Sequence, residues 1–192
     1  MRKLYISEMI TIDGFFEGPN KEIDRHNVDA EFNEYAIDQL DRTGLLVFGR
    51  VAYELMASYW PTELAKTDDP MVARMMNEIP KIVVSNSLAE ASWSNTRVIR
   101  ENIGDEILKL KQEPGKDIGI FGSSRLAATL LEIGLIDEVR MFIAPVVLGM
   151  GNPLFPARSG RIDFKLLRTE KFRSGNVLLC YQPVNKPHSS TP

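Results

Sequence analysis

The sequence predicts an α/β fold: a central, mostly parallel sheet with helices on both faces and an antiparallel hairpin at the C-terminal end. Three observations predict it. Short apolar runs alternate with helix-length amphipathic segments over the first two-thirds of the chain, the order that builds crossover units and parallel strands. Two of these runs, residues 45–48 and 118–121, pass through Gly49 and Gly122 directly into a helical pattern. The last two runs, residues 164–172 and 177–183, flank Ser174-Gly175-Asn176, a hairpin signal.

Taken in order, residues 3–12 are rich in β-formers and end at the turn dipeptide Asp13-Gly14, with a loop over 15–20. A helix fits 29–42, because Phe32, Tyr35, Ala36, Gln39 and Leu40 share one side at helical spacing, and Gly44 is its expected stop. The strand at 45–48 leads to a helix over 51–59, ended by Trp60-Pro61. Another helix covers 71–78 and stops before Pro80, since a residue preceding proline is pushed out of the helical region. Strands follow at 81–85 and 96–100, then a helix over 103–112 and a Pro114-Gly115 turn into the strand at 118–121. The helix over 124–133 ends at Gly134, a C-terminal glycine cap. A strand at 139–143 and a glycine- and proline-marked loop over 145–156 precede the hairpin. Residues 1–184 read as one domain, and 185–192, polar and proline-bearing, as a disordered tail.

Composition narrows the function classes. A chain of 192 residues with 44% hydrophobic and 26% charged residues and a net charge of -3 is ordinary for a globular domain, and no basic surplus suggests nucleic acid. The single cysteine, Cys180, excludes an internal disulfide framework, so a reducing cytoplasm is expected. It lies in an apolar run and reads as a buried, inert thiol. Ser7, Glu8, Thr11 and Asp13 interrupt any signal-like apolar segment after Arg2 and Lys3, and no run is long enough for a membrane span. His26 and His188 form no ligand pair, so neither a catalytic metal nor a Ser-His-Asp triad is expected.

The two strand-Gly-helix junctions carry the chemistry. Glycine lets backbone approach a ligand, and the first N–H groups of the following helix have no partner within it, so each junction suits a phosphate. For either junction alone, a glycine that merely relieves a tight turn remains the alternative. Neither matches the phosphate-loop pattern or the spaced triple-glycine fingerprint of dinucleotide-binding units. If the two strands are parallel neighbours, one sheet edge gathers Gly49, Arg50, Ser85, Asn86, Arg100, Gly122, Ser123, Ser124 and Arg125, a set suited to an elongated anion.

Gly49-Arg50-Val51-Ala52-Tyr53-Glu54, Gly122-Ser123-Ser124 with Leu126 and Leu130-Leu131, Gly134-Leu135-Ile136-Asp137-Glu138 and Pro145-Val146-Val147-Leu148-Gly149-Met150-Gly151-Asn152-Pro153-Leu154-Phe155 carry a resemblance that covers nearly the whole chain. The sequence resembles the dihydrofolate-reductase-like superfamily, and within it the C-terminal reductase domain of the bacterial bifunctional riboflavin-biosynthesis deaminase-reductase. The resemblance implies a three-layer α/β fold with a mixed central sheet, bound NADPH, and usually a homodimer. It also implies hydride transfer to a small pyrimidine- or pteridine-like heterocycle, as in 5-amino-6-(5-phosphoribosylamino)uracil reductase. Dihydrofolate reductase activity and a non-catalytic nucleotide-binding dimer are the alternatives.

By the same resemblance, Gly49, Arg50, Gly122, Ser123, Ser124 and Arg125 embrace the cofactor phosphates, and Ser85-Asn86 meets the adenosine phosphate. Asn86 stands where the family often has arginine, and Ala52 where many members have threonine. Arg50 is the first choice for a 2′-phosphate and Arg100 the second. Asp13, in the segment that lines the nicotinamide end, is the candidate proton donor, with a plain Asp-Gly turn residue as its alternative. Tyr53 is expected to pack, and Glu54 to pair with a cation.

Overall fold

The computed structural model describes residues 1–23, 27–155 and 161–184. The expected tail, His26, His188 and the end of the 145–156 loop lie outside the described residues. The chain runs β1 (Leu4–Thr11), β2 (Phe15–Glu17), α1 (Ala30–Asp41), β3 (Thr43–Gly49), α2 (Arg50–Tyr59), α3 (Glu63–Asp68), α4 (Pro70–Glu78), β4 (Lys81–Val84) and β5 (Thr96–Ile99). It continues through α5 (Ile103–Gln112), β6 (Asp117–Phe121), α6 (Ser124–Glu132), β7 (Glu138–Ala144), β8 (Asn152–Pro153), β9 (Asp163–Lys171) and β10 (Val177–Val184).

The eight-stranded sheet has the order β5-β4-β3-β6-β1-β7-β10-β9. Each neighbouring pair from β5 to β7 is parallel, and β10 runs antiparallel to β7 and to β9. The central strands are apolar on both sides, so Leu46, Val47, Phe48, Ile118 and Ile120 are fully enclosed. Each such side chain contributes about 1.5–3 kcal/mol of burial. Leu4, Ile6 and Val47 pack with α5 and α6 through Ile107, Leu126 and Leu130. On the other face Leu46 and Phe48 meet Leu40, Tyr53, Val72 and Met76 of α1, α2 and α4. The result is helices, sheet and helices in three layers. No helix of the described residues is long and apolar enough to cross a membrane.

Three local expectations are corrected. Gly44 does not stop α1: the helix closes at Arg42, and Gly44 lies inside β3 where the register with β6 shifts. The change of direction is held by Thr43, whose hydroxyl donates to the Gln39 carbonyl (2.7 Å) and meets the Tyr5 hydroxyl (2.5 Å). The short α3 follows Trp60-Pro61, started by Thr62, whose side chain accepts from the Ala65 N–H. The 15–20 loop contains β2, which pairs antiparallel with β8 and pins the loop after β7 against the start of the chain.

Candidate functional site

The two glycine junctions meet because β3 and β6 are parallel neighbours, with Leu46 beside Gly119 and Val47 beside Ile120. Both strands then end on one edge, and the Gly49 N–H donates to Ser123 Oγ at 2.6 Å across 74 residues of sequence. Gly49, extended at φ -81, precedes α2, and Ser123, left-handed at φ 80, precedes α6. Neither helix has a side-chain cap on its first N–H groups. Those groups carry the positive end of the helix dipole. Gly122 is fixed twice over: its φ is +75, and a Cβ there would lie 2.7 Å from Ala52 Cβ.

Gly49, Arg50, Gly122, Ser123, Ser124 and Arg125 all line one cleft of ≈ 1460 Å³. A small-molecule pocket is typically about 300–1,000 Å³, so this cleft has room for a long ligand and a second, smaller one. Its cations differ. Arg50 Nη1 donates to both carboxylate oxygens of Glu54, at 2.9 and 3.0 Å. The Arg125 guanidinium makes no hydrogen bond or ion pair among the described residues.

Ser85, Asn86 and Arg100 are not brought into the cleft lining. They form a turn beside it, at the ends of β4 and β5. Ser85 Oγ accepts from the N–H groups of Ser87 and Leu88, and Arg100 donates to the carbonyls of Ser85 (3.3 Å) and Ala89 (3.1 Å).

Asp13 also lies outside the cleft lining. Its carboxylate accepts from Thr11 Oγ1 (2.6 Å) and from the N–H groups of Gly149 (2.8 Å) and Leu148 (3.3 Å). The Thr11 hydroxyl foremost, helped by those two N–H groups, holds Asp13 below its ordinary pKa of 3.8. A carboxylate kept ionised in this way anchors a turn and is a poor proton donor at neutral pH.

The cleft also holds polar groups that the sequence reading did not single out. Glu8, near the end of β1 and buried, lines it. An acid within the apolar run of residues 3–12 was the available signal. On the opposite face of β1, Ser7 and Met9 meet Phe142 of β7 and one stripe of α1: Phe32, Asn33, Ala36, Gln39 and Leu40. Asn33 donates to Asp69 at 2.5 Å on the same side. No group of three or more His, Cys, Asp or Glu residues among the described ones is placed to hold a metal ion.

A parallel sheet closed by an antiparallel C-terminal hairpin, with a cleft where its strands end, defines the dihydrofolate-reductase-like fold. Dihydrofolate reductase from Enterococcus faecalis, solved with NADP(H), superimposes with a TM-score of 0.62 at 15% identity over 95% of this chain and 97% of that one. The chain belongs to the RibD C-terminal domain family, whose profile matches residues 2–178. A putative riboflavin biosynthesis protein from Shewanella sp. PV-4 is similar over 96% of this chain and 100% of its own, with a TM-score of 0.73 and 21% identity. The uncharacterized protein YyaP of Bacillus subtilis (strain 168) is 34% identical over 180 residues, 94% of each chain.

Proposed function

We propose that this protein is an NADPH-dependent reductase of a small pyrimidine- or pteridine-like ring. The observation that carries the reading is the pair of joined junctions, Gly49 bonded to Ser123, opening two uncapped helices onto one cleft. The E. faecalis enzyme of the same fold, solved with NADP(H), supports the choice of dinucleotide.

The backbone of Gly49, Gly122, Ser123 and Ser124 holds the pyrophosphate. Ser123 Oγ accepts from Gly49, which leaves its own proton for a phosphate oxygen. Arg125 is the first cation available to phosphate, and Arg50 the second, because Arg50 must first leave Glu54. NADPH, when bound, supplies the hydride. The ring takes the slot between β1 and α1. Reduction of a C=N or C=O bond also consumes a proton, which solvent in the cleft supplies, because Glu8 projects from the face of β1 opposite the slot. Asp13 is assigned a positioning role, fixing the turn at Leu148 and Gly149.

The test is a fluorescence titration with NADPH, followed by NADPH absorbance measured against pteridines, flavins and aminopyrimidine ribosides. Expected are saturable binding, weaker binding in Ser123→Ala, and turnover with one ring class. Absence of NADPH binding overturns the reading. Binding without turnover across the panel replaces it with a nucleotide-binding module.

A further inference from the structure

The slot between β1 and α1 ends in two polar side chains whose hydrogen-bonding capacity the protein leaves open. Gln39 is 7% exposed. Its Oε1 accepts from Arg140 Nη1 and from the Tyr35 hydroxyl, each at 3.2 Å. Arginine has no acceptor, so the amide atom facing Arg140 is the oxygen, and the orientation of the amide follows. The Gln39 Nε2 group donates to nothing among the described residues and is not sealed from solvent. The open side at Gln39 is the cleft.

This donor is held in place through its neighbours. Arg140 Nε donates to Glu138 at 2.8 Å, and its guanidinium stacks 3.9 Å over the Tyr5 ring. Arg168 donates to the Tyr35 oxygen (3.4 Å), which leaves the Tyr35 proton for Gln39. Ser7 sits beside Arg140 in the β1–β7 register and lines the same cleft, and its hydroxyl has no partner among the described residues. Glu8 projects from the other face of the strand, paired in register with Met141. The slot end therefore offers a fixed N–H donor and a hydroxyl of either sense.

We infer that Gln39, with Ser7, reads the edge of the ring and selects a carbonyl-bearing ring over one that presents amino groups at that edge. The inference rests on the reductase reading for the statement that the slot holds a ring. A ring carbonyl satisfies the Gln39 donor, whereas an exocyclic amino group sets N–H against N–H and leaves both unpaired. Gln39 and Ser7 are thus specificity-determining residues that require the ring to enter carbonyl first.

Gln39→Glu tests this directly, because Glu keeps an oxygen for Tyr35 and Arg140 and turns the cleft-facing donor into an acceptor. The probes are 5,6-diaminouracil and 2,4-diaminopyrimidine, titrated by calorimetry into the full chain saturated with NADPH. The native protein is expected to favour 5,6-diaminouracil by about tenfold or more. The preference disappears or reverses in Gln39→Glu, and 5,6-diaminouracil binds several-fold more weakly to Ser7→Ala. NADPH affinity stays unchanged in both variants. A native protein that binds NADPH but shows no such preference, or a folded Gln39→Glu that keeps it, overturns the inference while leaving the reductase reading intact. Failure to bind NADPH at all instead counts against that reading. Should a carboxylate beside Glu138 unfold the variant, Gln39→Met removes the donor without adding charge: lost preference supports the inference and retained preference overturns it.

Discussion

The junctions after β3 and β6 look alike in sequence, each an apolar run, a glycine and an arginine within three residues, yet their backbones and cations differ. Gly49 has an ordinary extended conformation, and the nearest atom to a Cβ built there is the movable Ser123 Oγ at 2.7 Å. Gly122 and Ser123 are consecutive left-handed residues, and a Cβ on Gly122 meets the Ala52 side chain. Arg50 is bound to Glu54, whereas the Arg125 guanidinium has no partner among the described residues. The cation of the first junction is already paired within the protein, and that of the second is not.

The largest test of this contrast is structural. Gly122→Ala combines a left-handed backbone with a close contact to Ala52 and is expected to destabilise the fold by about 1–3 kcal/mol. Gly49→Ala displaces only a hydroxyl and should lose about 1 kcal/mol or less, roughly one hydrogen bond. Urea unfolding of both variants compares them, and the reverse order would break the distinction.

Charge provides the next comparison. Arg125→Ala is expected to weaken NADPH about tenfold, with the loss shrinking as salt is added. Arg50→Ala should cost less, because Glu54 already neutralises it. Glu54→Gln sharpens the point by releasing Arg50, so NADPH should bind a few-fold more tightly. Unchanged affinity in Glu54→Gln, with a large loss in Arg50→Ala, would mean that Arg50 reaches phosphate despite its ion pair.

The smallest effect belongs to a third glycine turn, Asp13-Gly14, where a Cβ on Gly14 meets nothing within 4 Å. Because the folded pKa of Asp13 is lowered, its tether to Leu148 and Gly149 is complete above the ordinary value of 3.8. It is lost as pH falls through the lower folded value. The amide proton shift of Gly149 should titrate with a midpoint below 3.8 and lie at the untethered position throughout in Asp13→Asn. A midpoint at or above 3.8 would remove the tether.

Most of the main sheet and its helices were legible because each carried its own periodicity: α5 runs from Ile103 to Gln112 as its apolar spacing indicates, and α1 starts after Asp29, whose side chain accepts from the Phe32 N–H. The elements not foreseen had no room for a pattern. Residues 63–68 bury only Ala65, and β8 is two residues long with a proline. At the site, adjacency of the junctions could be anticipated from glycine placement, but commitment of a side chain could not. Glu54 lies one helical turn from Arg50 and is readable as its partner. The neighbours that orient Gln39 include Arg140, 101 residues away, and only the β1–β7 pairing brings it there. Gln39 reads from sequence as one more residue on the apolar side of a helix.

The position of β1 has a consequence for biosynthesis. It is the first strand of the main sheet to be made, yet its sheet neighbours are β6 and β7, with Leu4 beside Ile118 and Tyr5 beside Glu138. At about 5–20 residues per second, the opening strand waits on the order of ten seconds for either edge to be covered. Throughout that interval Leu4, Tyr5 and Ile6, among the most enclosed side chains of the finished protein, have no sheet to enter. Nascent chains stalled before β6 should therefore be the species that chaperones hold and proteases remove, and the cleft, framed by β1, β3 and β6, comes into being only once β6 has been made.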